Sequence, residues 1–283
     1  MLNIGCKPAI VISALTAGML WGQAAPSVTS TSANDLLRQV LQNEVAAQAV
    51  DHSHWSYRSV TPSSGQASRA EKVIETKDGD IAHLTTVNGR PLTSDEEAKE
   101  EDRIETLLND ADLQRKKQRE ASADAKHAAH FVKILPDVVV ATYGQRQGDL
   151  QELNFTPNPT FHPTTREDEV LHATAGRIVV NVKENRLAEI DGHLTETIKF
   201  GAGLLGYLEQ GGQFQVKQSE VGPGHWEVTL LRVDMKGKAL CFKTISVHQD
   251  EAHTDFERVA DDLTLAQGAG ELREQVHTAQ LRK

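Results

Sequence analysis

Few residues in this chain have types and spacings that could do chemistry. His52 and His54 lie two apart in Asp51-His52-Ser53-His54-Trp55, and on an extended chain two such imidazoles point to one side, as ligands of a shared Zn²⁺ would. Two ligands do not make a site. A third and fourth would have to come from His83, His172 or Asp191, and nothing in their spacing indicates it; the pair reads equally as a hydrogen-bonded helix-to-strand junction. His127 and His130, three apart in a helical stretch, and His248 and His253, flanking Gln249-Asp250-Glu251, offer the same choice between chelation and an ordinary surface role.

Nucleophilic catalysis needs a serine or cysteine held beside a base, and neither a Gly-x-Ser-x-Gly elbow nor a cysteine in a basic neighbourhood is present. Carboxylates adjoin one another in Arg166-Glu167-Asp168-Glu169, but in a chain with 40 acids such adjacency carries no information about acid–base pairing. Glycines 201, 203, 206, 211 and 212 match neither a phosphate loop nor a dinucleotide fingerprint, so no cofactor is expected. The reading is therefore of a protein without a catalytic set.

Charge and targeting narrow the class. Forty acids against 30 bases give a formal charge of −10, which repels nucleic acid and anionic lipid surfaces. The one compact basic run, Arg115-Lys116-Lys117-Gln118-Arg119, reads as a solvated helix face. At the N-terminus, Lys7, the apolar run Ala9 to Trp21 and Gly22-Gln23-Ala24 have the layout of a signal peptide (1–24), predicting a periplasmic or secreted protein with no transmembrane anchor after cleavage. Cys6 would leave with it, and Cys241, alone between Leu240 and Phe242, reads as a small buried hydrophobe with no disulfide partner.

The elements that must position any site follow from periodicity. After a small-residue linker (25–33), Leu36, Leu37, Val40, Leu41 and Val45 mark a helix with Ser32 or Asn34 as its cap, running to about Val50. Trp55 and Tyr57 open a strand; Glu71 to Thr76 and Asp80 to Val87 form a hairpin around Asp78-Gly79. Ser94 and Glu97 read as a capping box that begins a helical insertion (94–135) broken near Asn109-Asp110-Ala111-Asp112, with Gln114 to Glu120 in solvent and an Ala121, Ala125, Ala128, Phe131, Val132, Leu135 stripe packed. Val138 to Tyr143 and Leu150 to Phe155 read as a second hairpin, and Thr174 to Val259 as one long antiparallel meander before a C-terminal helix from Leu265 to Leu281.

These elements predict an α+β fold: a strongly curved antiparallel sheet, an open or partial β-barrel, with covering helices and the long helical insertion, all in one domain (34–283). If helices cover the concave side of such a sheet, Val180, Phe200, Phe214, Val216, Trp226, Val228, Leu230 and Phe242 would line an apolar space able to hold a lipid or other apolar ligand. The same residues would equally serve as solid core, leaving an envelope protein as the partner and the helical insertion as its docking surface.

Phe200-Gly201-Ala202-Gly203-Leu204-Leu205-Gly206, Gly211-Gly212-Gln213-Phe214, Trp226-Glu227-Val228 and Lys238-Ala239-Leu240-Cys241-Phe242-Lys243-Thr244 resemble an uncharacterised family of exported bacterial proteins. The order of signal, helix, strands, helical insertion and long meander is also similar to the periplasmic lipoprotein carrier (LolA-like) fold, an unclosed barrel plugged by helices. That resemblance implies acyl-chain binding in a cavity, with the insertion from Ser94 to Leu135 as a departure from the carriers' pattern.

Overall fold

The structure, a computed structural model, describes residues 31–62, 67–200, 206–239 and 243–281. The expected signal peptide, most of the linker, residues 201–205, Leu240, Cys241 and Phe242 lie outside the described residues. Ser32–Lys283 forms one compact unit.

In chain order the elements are α1 (Ala33–Val50), β1 (His54–Thr61), β2 (Arg69–Ile74), β3 (Ile81–Val87), β4 (Arg90–Pro91), α2 (Ser94–Asn109), α3 (Ala111–Val138), β5 (Val139–Gln147) and β6 (Leu150–Pro157). There follow α4 (Arg166–His172), β7 (Thr174–Asn181), β8 (Arg186–Leu194), β9 (Ile198–Phe200), β10 (Gly206–Leu208), β11 (Gln213–Gly222), β12 (His225–Ala239), β13 (Lys243–Val259) and α5 (Leu265–Leu281). The fold is α+β. Among the described residues all thirteen strands join one antiparallel sheet, in the order β4-β3-β2-β1-β13-β12-β11-β8-β7-β6-β5, with β10 on β12 and β9 on β10. The sheet does not close: β4 and β5 end its main path, and β9 ends the branch through β10.

The helices gather at the two ends of the sheet. At one end α1 and the last turns of α3 lay Leu37, Val40, Leu41, Leu135 and Val138 against Leu153, Phe155, Ile178, Val180 and Ile190, all buried. At the other end α2 and α5 pack Ile104, Leu107, Leu265, Ala269 and Leu272 onto Ile74 and Ile81. The long helix α3 joins the two cores. Its Leu113 enters the second core and its Phe131 and Val132 the first, whereas every residue of 115–129 between them is exposed. Ala121, Ala125 and Ala128 thus pack on nothing, because small side chains at helical spacing bury too little apolar area to hold a helix down.

Local chemistry sets the boundaries. Ser32 caps α1 through a 3.1 Å hydrogen bond from the Asp35 amide. The capping box of α2 lies one residue earlier than Ser94 and Glu97 suggested: Thr93 and Glu96 form it, and Arg90 clamps Glu96 at 2.6 and 2.8 Å. Asp110 ends α2 and caps α3 with two amide bonds of 2.9 Å, where the sequence break was expected. The short helix α4 carries a similar box in Thr165 and Asp168, a signal hidden in a run read only for its carboxylates.

Two glycines allow close packing in the middle of the sheet. Gly176 and Gly192 face each other across β7 and β8, and a Cβ at Gly192 would come within 2.6 Å of the Phe214 ring and 3.4 Å of Phe155. A Cβ at Gly176 would run into the Asp191 backbone carbonyl, which no side-chain rotation relieves. Gly176→Ala should therefore lower stability in urea unfolding by about 2–3 kcal/mol. Gly270→Ala, with open space around an exposed position in α5, should raise it by up to about 1 kcal/mol.

Candidate functional site

Directly opposed residues of neighbouring strands share a face, so the register sorts the middle of the sheet into two rows. One row is polar: Arg177, Asp191, Gln215, Arg232 and Asp250 stand opposite one another across β7, β8, β11, β12 and β13. Around it Glu189 receives hydrogen bonds from Arg177 and Gln215, both 2.7 Å, and Arg232 reaches Asp250 at 3.0 Å. The next row, on the opposite face, is apolar: Leu153, Ile178, Ile190, Val216 and Leu231. Cover on it fades along the row, from 0%, 0% and 4% exposed at Leu153, Ile178 and Ile190 to only half-buried at Val216 and Leu231.

Past Leu231 the face turns aromatic and acidic. Glu251 opposes Leu231 and His253 opposes Ser59. Tyr57 stacks on Phe256 at 5.2 Å between centroids and tilts over His253 at 4.8 Å, and Trp55 meets His225 and Phe256 edge-on at 5.7 and 6.5 Å. Glu75 accepts the Trp55 amide at 2.9 Å. Burial, then the negative charges of Asp80 and Glu227, push its carboxyl up to about 8. Burial likewise raises Glu227 and pushes the Tyr57 phenol above its ordinary value. Burial also works against ionisation of Asp51, but hydrogen bonds from Ser53 and His225 outweigh it and hold that carboxyl at about 2.

The expected lining residues separate. Val180 is fully buried core; Phe214 packs against the same core, and Val216 is half-buried on the apolar row. Val228 opposes Gln218, which shares the face of Val216, and half-buried Trp226 lies under Arg186, 5.5 Å from its ring centroid. Leu230 is different. Alternation puts it with Val228, but a bulge inserts Thr229 between them and Leu230 opposes Lys217 on the polar face, so Leu231 takes its place. Phe200 joins a satellite cluster with Ile198 and Leu194, beneath Arg166. Phe242 lies outside the described residues.

The histidines are dispersed. His52 is exposed, His54 lies 3.9 Å from Asp261, His83 is buried against the Leu84 carbonyl, and His172 bonds the Asn158 carbonyl. His130 binds Asp168 at 2.9 Å and His253 binds the Val228 carbonyl at 3.0 Å. Among the described residues no group of three or more His, Cys, Asp or Glu is placed to hold a metal ion. No helix among them is long and apolar enough to cross a membrane.

A second concavity lies on the other face. It is a groove of about 880 Å³ between α5, the start of α2 and strands β1 to β4, lined among others by Arg58, Lys72, Leu92, Glu257 and Val276. None of the expected lining residues reaches it. Glu75, Glu227 and the Arg58–Lys72 pair escaped the sequence reading because their neighbours come from strands distant along the chain. The Arg58–Lys72 register alone had a local signal, in the hairpin geometry of β1 and β2.

No family model matches the chain, and no curated protein or solved structure matches it. What it does must be argued from its own geometry.

A carboxyl whose folded pKa is raised binds its proton more tightly folded than unfolded, so stability is present at low pH and falls as pH rises from the unfolded value towards about 8. Glu75→Gln should flatten this decline. Thermal unfolding between pH 5 and 8 should show the wild type losing on the order of 2 kcal/mol more than the variant.

Proposed function

We propose that this is an exported, non-catalytic binding protein that holds a lipid or other apolar ligand against the half-covered face of its middle strands. The observation that carries the reading is the incomplete cover of Val216, Val228 and Leu231 in the interior of a sheet whose helices gather at its ends. Central strands of an antiparallel sheet ordinarily bury one face under another layer, and apolar rows left half-open mark places where something else docks.

Curvature of the sheet towards that face is supported by two distances. From Gln118, whose amide binds the Asp78 carbonyl at 3.1 Å, to buried Leu135, helix α3 rises about 26 Å. Eight strand spacings from β2 to β5 would span roughly 38 Å if flat. A tie of that length between the two ends favours a bent sheet over a flat one. Similarly, a Cβ at Gly222 in β11 would lie 2.8 Å from the Trp55 ring of β1, three strands away. A bent sheet with a bridging helix that does not pack down supports the lipoprotein-carrier (LolA-like) comparison, and the signal-peptide layout supports a periplasmic or secreted location.

Uptake of a fluorescent fatty acid by delipidated protein tests this. Saturable binding is expected, weakened about tenfold or more by Val216→Glu and within about twofold of wild type in Lys217→Gln on the opposite face. Absence of uptake, or equal loss in both variants, would reject it.

A second reading is that of an envelope interaction protein docking through α3, favoured by exposed Arg115, Lys116, Lys117 and Arg119 along its unpacked middle. Deleting the whole insertion is a poor test, since α2 supplies Ile104 and Leu107 to the core. Charge reversal at Lys116 and Arg119 should instead abolish co-purification of an acidic partner from the envelope while leaving fatty-acid uptake unchanged; retained co-purification contradicts this docking mode.

A further inference from the structure

The groove between α5, α2 and strands β1 to β4 holds an arrangement that folding alone does not explain. Arg58 and Lys72 are directly opposed across β1 and β2, on the face that also carries Ser56 and Ile74. Like charges so placed repel, and a sheet gains nothing from them. Neither forms an ion pair or hydrogen bond with a described residue. Ten other arginines are paired with carboxylates, in a chain where acids outnumber bases 40 to 30, whereas few of the described lysines are. Arg69, on the same strand as Lys72, reaches Glu71 at 3.1 Å.

Three carboxylates share the groove, Glu97, Glu257 and Glu274, and none pairs with either cation. Glu97 lies 3.8 Å from His83. Glu257 opposes Ser56 on the neighbouring strand, one register step from Arg58. Thr85, Thr86 and Ser94 also line it, the Thr85 hydroxyl donating to the Ala70 carbonyl, and Pro91, Leu92 and Val276 add apolar surface. At about 880 Å³ the space is that of a small-molecule site.

We infer that this groove binds a small organic molecule bearing one oxyanion, a carboxylate or phosphate, seated between Arg58 and Lys72 with its apolar body against Leu92 and Val276. An anion there converts a repulsive cross-strand pair into two charge-assisted hydrogen bonds, the stronger class of such contacts. The guanidinium fork of Arg58 sets the oxygens in plane, and the Lys72 ammonium adds a point charge from the facing strand. The Glu97, Glu257 and Glu274 carboxylates disfavour polyanions, which selects a single charged group. The site lies on the opposite face from the apolar row and stands or falls independently of the proposed function.

Calorimetric titration of the purified chain at low ionic strength tests it, with octyl phosphate, octanoate, inorganic phosphate and octylamine as probes. Octyl phosphate or octanoate should bind, octylamine should not, and inorganic phosphate alone should bind more weakly for want of the apolar contact. Comparing the two amphiphiles tells a phosphate ligand from a carboxylate one. Arg58→Gln and Lys72→Gln should each weaken binding about tenfold or more. Without ligand, each variant should match or exceed the wild-type melting temperature, since removing one charge removes the repulsion. Val216→Glu should leave these affinities unchanged. Failure of both amphiphiles to bind, binding of octylamine as tight as octanoate, or unaltered affinity in the folded double variant would overturn the assignment.

Discussion

A wide antiparallel ladder must bury one face, and the five helices among the described residues are too few to do it along the whole width. Strand pairing runs continuously from β4 to β5, with bulges at several pairs, but helix packing stops after the first few strands at either end. The strands between hold their places through the ladder, through the charged row on one face and through a partly open apolar row on the other. The proposed apolar ligand would fill that shortage of cover.

The bridging helix is the device that makes the shortage tolerable. Two anchors fix α3, Leu113 in one core and Phe131 with Val132 and Leu135 in the other, and Gln118 secures its early turns to the β2–β3 turn. Between them the helix survives on intrahelical hydrogen bonds and on alanine, lysine, arginine and glutamine, residues that favour helix without burial. Asn34 performs a related service at the far edge, accepting the Ala141 amide and donating to the Pro136 and Val139 carbonyls. That blocks the start of β5 from pairing with another chain.

Much of this was legible from alternation and caps. The α+β class, the single antiparallel sheet, the first and last helices and the exposed stretch after Gln114 all follow from local pattern, because each is decided by side chains near in sequence. What was not legible depends on register. The Thr229 bulge moves Leu230 to the polar face and puts Leu231 in its place, and alternation cannot announce an extra residue. The acid and aromatic end assembles from positions 55 to 256, so Glu75 and Glu227 look like ordinary surface carboxylates until the strands are laid side by side. The short α4 was concealed differently, its capping box lying inside a run of charges.

The central claim is that the half-covered row around Val216 and Leu231 is a resting place for apolar matter and not a thinly packed core. Native mass spectrometry of the protein purified gently from its native source tests this most directly. The account predicts a bound apolar adduct that organic solvent strips away and that Val216→Glu protein lacks. Wild-type protein emerging at its bare mass, and staying so after exposure to lipid, would contradict it.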